Sequence, residues 1–374
     1  MIDQKQLGQA AKSYIDELIL PSDPFFPLWN RENFIFRKKP KWNYIDGCMM
    51  TALLMLYERS GDERLFSYAE NFISAYLDSS GNIPTLNFED HNLDNINGGK
   101  NLLRLYRLTK KDIYMTAAEK LVKNQLTKQP RLKCGNFWHK KIYPNQIWID
   151  GTYMVLPFMA EYGKITNNKD MIDDVRMQLQ NIRSIMRDPD TGLYYHGYDE
   201  TRYNEWADPE TGLSKEFWLR AMGWMCAALA DLSEIIPDEP LFRDMLSDLL
   251  SSLSVLALPD GMLMQLPQYP ELKNNYPETS GTLLFAYSAL KAENLGLVDG
   301  TIGESGKKAL ETVAEKYISF DIDGKPVLRN ICLMAGLGIG RNGSIEYYLS
   351  EKKTENDAKG IAPFLMAYNE LIKR

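Results

Sequence analysis

The amino-acid sequence predicts an all-α protein, a single closed toroid of six helical hairpins with short β-like segments in its long loops. Three observations carry this. Apolar residues recur at spacings of three and four in twelve windows. Short polar breaks alternate with long connections, so the windows fall into pairs. A small, polar, glycine-bearing signature returns once per pair.

In chain order the helical windows are 3–19, 43–60, 62–79, 94–110, 112–127, 149–166, 168–186, 216–236, 239–257, 278–296, 300–318 and 356–373. The window from 216 is typical, with Phe217, Trp218, Met222, Met225, Leu229, Leu232 and Ile236 on one stripe. Breaks such as Ser60-Gly61-Asp62, Lys110-Lys111-Asp112 and Asn167-Asn168-Lys169 are too short for anything but antiparallel neighbours. The stretches 80–93, 128–148, 187–215, 258–277 and 319–355 are longer and set the pairs apart. No Pro-rich or Ser-rich linker interrupts the chain, so residues 1–374 are read as one domain. An open solenoid is the competing architecture, but its repeats are shorter and its connections more uniform.

The long stretches carry turn chemistry. Asp188-Pro189-Asp190-Thr191-Gly192-Leu193 nearly repeats as Asp208-Pro209-Glu210-Thr211-Gly212-Leu213, and each reads as a tight turn. Between them runs a hairpin-like Tyr194-Tyr195-His196-Gly197-Tyr198. The glycine signature is taken to open the second helix of successive pairs, at Gly47, Gly98, Gly151, Gly223, Gly281 and Gly360. Glycine inside a helix costs about 1 kcal/mol relative to alanine, so its return at one place per pair points to close backbone packing there. In a toroid the inner helices all run the same way. Their N-termini, with unpaired N–H groups and partial positive charge, then meet at one mouth and suit an anionic ligand. Trp42, Tyr44, Trp148, Tyr153, Trp218 and Trp224 fall at those ends. Aromatic faces beside carboxylates are what a sugar site needs.

Composition narrows the function. With 43 basic and 50 acidic residues the net charge is −7, and no basic face for nucleic acid is evident. No apolar run is long enough to span a membrane. The N-terminus lacks a secretory pattern and the four cysteines are scattered singly, so a cytoplasmic protein with reduced thiols is expected. Without a C-x-x-C pair, and with three histidines in all, no metal or cofactor is called for. Gly338-Ile339-Gly340-Arg341-Asn342-Gly343 fits a nucleotide-loop pattern, but Ser344 to Leu349 after it reads as extended and the βαβ context is missing. Asp188 to Gly192 opens like a calcium loop but lacks the closing glutamate.

Asp94 and Asp150 stand in equivalent slots at inner-helix N-termini, and Asp46 holds a third. Each on its own reads as an N-cap. Two together beside Trp and Gly are the minimum equipment for acid–base work on a sugar. His139 and His196 lie in long loops on the same side, where a packing role is the ordinary one. Arg220 could pair with a carboxylate of the protein or grip one on a substrate.

Seven segments then carry a resemblance: WNYIDG (42–47), NLDNINGGK (92–100), QIWIDGTYM (146–154), GLYYHGYDE (192–200), WADPETGLSKEFWLRAMGW (206–224), NNYPETSGT (274–282) and GSIEYYLSEKKTENDAKGIAPFLMA (343–367). In combination they resemble glycoside hydrolase family 105, the unsaturated rhamnogalacturonyl hydrolases, and more distantly the unsaturated glucuronyl hydrolases of family 88. The resemblance implies an (α/α)6 barrel and removal of a 4,5-unsaturated uronic acid by hydration of its C4=C5 enol ether. It implies Asp150 as general acid and as the base that activates water, and Asp94 as its partner carboxylate. It further implies His196 and Arg220 as contacts of the sugar and its carboxylate, Tyr44, Trp148, Trp218 and Trp224 as walls, and His139 near the second sugar. Asp46 is taken as a possible ligand contact and not a catalyst. The expected partner is an anionic oligosaccharide, with the chain a monomer or weak homo-oligomer. Alternatives are the same chemistry on unsaturated glucuronyl substrates, a non-catalytic carbohydrate-binding barrel, and a hydrolase of saturated sugars.

Overall fold

The computed structural model describes residues 4–373. The chain opens with α1 (Gln4–Ser13), which widens into a π turn over Tyr14–Ile19, and a short α2 (Arg31–Ile35). Then come α3 (Tyr44–Ser60), α4 (Glu63–Ser74), α5 (Gly99–Thr109) and α6 (Asp112–Asn124). They are followed by β1 (Gln146–Trp148), α7 (Asp150–Thr166), α8 (Lys169–Met186), β2 (Gly197–Asp199), α9 (Leu219–Ile235) and α10 (Pro240–Val255). The last third holds α11 (Thr279–Asn294), α12 (Gly300–Lys316), β3 (Ile318–Phe320), β4 (Pro326–Leu328), β5 (Ile331–Cys332), α13 (Ile345–Ser350), β6 (Lys353–Thr354) and α14 (Ala358–Leu371).

Among the described residues, α3, α5, α7, α9, α11 and α14 form an inner ring that closes where α14 packs on α3. Helices α1, α4, α6, α8, α10 and α12 lie outside it, each against an inner partner. The sequence sorts the two layers. Every residue of α9 from Leu219 to Ala230 and of α11 from Thr279 to Ala292 is buried, as a helix covered on all sides requires. Outer helices bury one stripe, such as Leu65, Ala69, Phe72 and Ile73 of α4. The tight breaks end in left-handed residues, Gly61, Lys110 and Asn167, each donating its N–H back to the preceding turn.

Several expectations need correction. The glycine signature opens the first helix of each tight hairpin, not the second, and the sixth inner helix α14 pairs with the N-terminal α1 across the chain. The window 62–79 stops as α4 at Ser74. The one from 94 begins as a 3-10 turn over Leu93–Ile96, and α5 starts only at Gly99. Residues 345–350 are helical, not extended, because the Ser344 side chain caps α13 by accepting the Tyr347 N–H. The close packing inferred from the glycines is present. A Cβ on Gly281 would sit 2.5 Å from Leu219 Cγ, and one on Gly98 would enter the Trp42 ring.

The β-like segments form three two-stranded antiparallel sheets among the described residues: β1 with β2, β3 with β4, and β5 with β6. The stretch around His196 is therefore not a hairpin of its own. It pairs with a strand about fifty residues earlier, with Trp148 opposite Gly197. One charged cluster ties the N-terminal segment to α14. Lys359, with no exposed surface, lies 2.9 Å from Glu32 and 3.1 Å from Asp357. Lys38 reaches Glu32 at 2.7 Å from the other side.

Candidate active site

The inner helices point their N-termini at one mouth, and a cavity of about 260 Å3 opens there. Four helix starts line it. Tyr44 begins α3, Asp94 lies in the turn leading to α5, Asp150 begins α7, and Trp218 and Arg220 stand at the start of α9. Helices α5, α7 and α9 have no side-chain cap, so their positive ends are left to the cavity. The other two starts are closed by their own acids. Glu278 accepts from the N–H groups of Ser280, Gly281 and Cys332, and Asp357 accepts from Lys359.

Asp150 is placed by the β1–β2 pair. The strand delivers Trp148, and the Ile149 N–H donates to the His196 carbonyl at 3.1 Å. The His196 ring then lies with Nε2 3.1 Å from Asp150 Oδ2, while its Nδ1 is 2.7 Å from the Tyr348 hydroxyl. Burial pushes the Asp150 carboxyl up, but the His196 ring beside it more than offsets this and brings it below the ordinary carboxylate range. His196 is fully buried and does not line the cavity. The sequence expected it to touch the sugar. It stands instead behind Asp150, as that residue's partner.

Asp94 faces the same cavity. Its carboxylate holds Lys140 Nζ at 2.5 Å and lies 3.7 Å from His139 Nε2. Burial, helped by Lys140, pushes the His139 imidazole down to about 4, so the ring is neutral near pH 7. His139 stacks on Trp148 with centroids 4.7 Å apart, and Tyr143 stacks on the same indole at 4.5 Å. Trp148 is fixed by its Nε1–H donating to Gln146 at 3.0 Å. Gly151 leaves room for this wall, since a Cβ there would meet His139 Nδ1 at 3.2 Å.

On the opposite side Arg220 stacks over Trp218 at 4.8 Å and donates from Nη1 to Ser280 and the Cys332 carbonyl. Among the described residues no carboxylate comes within ion-pair distance of it, so its charge is available to a ligand. Trp224 lines the cavity and rests on Tyr153 at 4.9 Å. Trp42 and Asp46 lie behind the wall. Asp46 accepts from Trp29, Asn30 and Asn43, and burial pushes it up to about 6. It is a structural acid and not a ligand contact.

The sequence reading missed Lys140, Tyr143, Tyr348, Arg341 and the polar segment of Asn30, Asn33, Lys38 and Lys41. All but Tyr348 line the cavity. Lys140 was legible beside His139, and Arg341 sits in the glycine stretch set aside as a nucleotide decoy. Among the described residues no three His, Cys, Asp or Glu side chains are grouped to hold a metal.

The family model for Glycosyl Hydrolase Family 88 matches residues 28–374. The chain belongs to glycosyl hydrolase family 88. This family 88 protein is also 31% identical to a family 105 glycoside hydrolase from C. acetobutylicum ATCC 824, with 99% of both chains covered and a TM-score of 0.88. The unsaturated rhamnogalacturonyl hydrolase YesR of Bacillus subtilis is 25% identical over 263 residues, 68% of this chain and 72% of that protein. An unsaturated glucuronyl hydrolase from Bacillus sp. GL1, 16% identical, shares the fold at a TM-score of 0.67 over 98% of this chain and 94% of that one. The protein is a glycoside hydrolase on an (α/α)6 barrel.

Proposed function

We propose that this hydrolase removes a 4,5-unsaturated uronic acid from lyase-generated oligosaccharides by hydrating the C4=C5 enol ether. Its substrate is the unsaturated galacturonyl–rhamnose unit of pectin-derived rhamnogalacturonan. The observation that carries the reading is one cavity shared by Asp150, Asp94 and the guanidinium of Arg220, which has no carboxylate partner among the described residues. The likeness to YesR supports the choice of sugar. We place the reaction in the cytoplasm, with the chain acting as a monomer or weak homo-oligomer.

Arg220 holds the substrate carboxylate, and Trp148, Trp218, Trp224 and Tyr44 frame the ring. Arrival of that anion and exclusion of water favour the neutral form of Asp150, so a proton held by the Asp150–His196 pair moves onto the carboxyl. Tyr348 keeps the imidazole oriented throughout. Asp150 protonates C4, and the π electrons form the C4–H bond. Positive charge develops at C5, shared by the ring oxygen. Water adds at C5 and gives its proton to Asp150, which restores the acid. Asp94 orients that water, and its contact with Lys140 fixes the carboxylate in place. The C5 hemiketal opens by breaking C5–O5. The hemiacetal left at C1 then expels the aglycone as an alcohol.

Loss of enol-ether absorbance tests the reading. Unsaturated galacturonyl–rhamnose should be turned over faster than an unsaturated glucuronyl disaccharide. Turnover of saturated aryl glycosides, with no loss of absorbance from either unsaturated sugar, would refute it. Arg220→Ala should raise KM by about tenfold or more and lower kcat less, since a charged hydrogen bond contributes about 1.5–3 kcal/mol. An unchanged KM would remove Arg220 from the carboxylate.

His196→Gln tests the proton pair. The amide keeps bulk but cannot store a proton, and a carboxyl surrenders its proton at lower pH than an imidazole. The alkaline limb of kcat should move to lower pH, with kcat down about tenfold near pH 7. A profile scaled down without moving would make His196 a packing residue only.

A further inference from the structure

Elimination by a lyase makes C4 of a uronate trigonal. Galacturonate and glucuronate differ only there, so both yield one and the same unsaturated ring. A ring bound beside Asp150 therefore carries no record of its parent polymer, and selection falls to the linkage and the chain beyond it. The charges on the cavity wall bear on that chain. Lys38 lies 2.7 Å from Glu32, and Lys140 lies 2.5 Å from Asp94. Asp150 has His196 beside it. Three cations remain on the wall with no carboxylate partner among the described residues, namely Arg220, Lys41 and Arg341. His139, neutral near pH 7, adds no charge. The carboxylate of the unsaturated sugar answers Arg220 and leaves the other two.

Arg341 is half-buried and built into the wall. Its N–H donates to the Gly338 carbonyl at 2.9 Å, and the Gly338 N–H donates back at 3.2 Å, which closes a tight turn. Gly340, at φ +71°, supplies the left-handed residue of that turn, and its N–H donates to Glu205 at 3.2 Å. The guanidinium and the edge of Trp148 flank Gly336. A Cβ there would lie 3.0 Å from Arg341 Nη1 and 3.2 Å from Trp148 Cη2. Among the described residues the guanidinium reaches only the Met334 sulfur, at 3.9 Å. Lys41 is exposed on the segment that leads to α3. That segment, Arg37-Lys38-Lys39-Pro40-Lys41, carries no acid. A chain of net charge −7 thus gives the mouth of its cavity a basic rim, which draws anions toward it.

We propose that Arg341 and Lys41 form an outer subsite for a second carboxylate, that of the next uronate along the leaving chain. The assignment rests on the proposed function, since uronate and rhamnose alternate in rhamnogalacturonan and the next charge lies beyond the rhamnose. The preferred substrate is then an unsaturated tetrasaccharide and not the disaccharide. Loss of enol-ether absorbance is followed for the disaccharide, the tetrasaccharide, and the tetrasaccharide with its inner uronate as the methyl ester. The free acid should show a KM about fivefold below that of its ester, the gain expected of an exposed ion pair. Arg341→Gln with Lys41→Gln should close that gap, whereas Arg220→Ala should raise KM for acid and ester alike. Lys41→Gln alone should narrow the gap, and carries the test if the double variant does not fold. Calorimetry of the two tetrasaccharides on Asp150→Asn, which consumes neither during the titration, should show the same gap in affinity. If no compound loses its absorbance, the hydration reading fails and the affinity gap alone decides the subsite. Equal KM and equal affinity for acid and ester, or a gap unchanged by the variants, overturns the proposal.

Discussion

Asp150→Asn lowers kcat by about 10^3-fold or more while the substrate still binds. One side chain is asked to give a proton to C4 and take one from water, and acid–base groups contribute about 10^2- to 10^4-fold each time they act. The amide is isosteric and sits on the same helix start, so the cavity and the Arg220 contact persist. His196 then faces a neutral neighbour and gains no route to the alkene, because it has no surface on the cavity. The check is single-turnover kinetics beside equilibrium binding of the unsaturated disaccharide. A rate near that of the unmodified enzyme would assign the acid elsewhere, with Asp94 next in line. Loss of binding together with rate would mean that Asp150 shapes the site and does not run the chemistry.

Lys359→Met destabilises the fold by about 3–5 kcal/mol, the usual consequence of stranding buried charges. It leaves Glu32 and Asp357 facing one another without their shared cation. Burial alone would raise Glu32, but Lys359, with help from Lys38, holds it down to about 2. A carboxyl lowered in this way stabilises the folded state fully above its unfolded value of about 4.5. That stability, about 3 kcal/mol here, is lost as pH falls from about 4.5 toward 2. Urea unfolding at pH 7 and at pH 3 should therefore separate the unmodified protein strongly and the variant much less. Glu32→Gln added to Lys359→Met should recover part of the loss. Because Asn30, Glu32, Asn33, Lys38 and Lys41 line the cavity, KM should rise as well. A variant as stable as the parent at pH 7 would show that this cluster does not anchor the wall.

The barrel was legible because short polar breaks pair the helical windows and the glycine signature returns once per pair. Which helices are inner was not, since the window from 216 reads as one stripe, and only the structure shows residues 219–230 and 279–292 buried on all sides while α4 buries Leu65, Ala69, Phe72 and Ile73 alone. The order within hairpins was misjudged because the closing partner of α14 lies at the other end of the chain. The segment at 345–350 was misread because β-favouring Ile and Tyr outweighed the capping Ser344. In the site, Asp94 and Asp150 stood out as matched helix starts. Their distinct roles did not, since what separates them is Lys140 on one and the buried His196–Tyr348 pair on the other. Tyr348 is 152 residues from His196, and no local pattern signals that contact. Asp46 looked like its counterparts in sequence, but three donors from Trp29, Asn30 and Asn43 enclose it.

Running the reaction in D2O and following early product by NMR tests the central claim most directly. Proton delivery by Asp150 to the alkene predicts one deuterium at C4, added on a single face, before slower exchange beside the new ketone scrambles it. A released sugar that keeps its C4=C5 bond and carries no deuterium at C4 would contradict hydration and point to attack at C1.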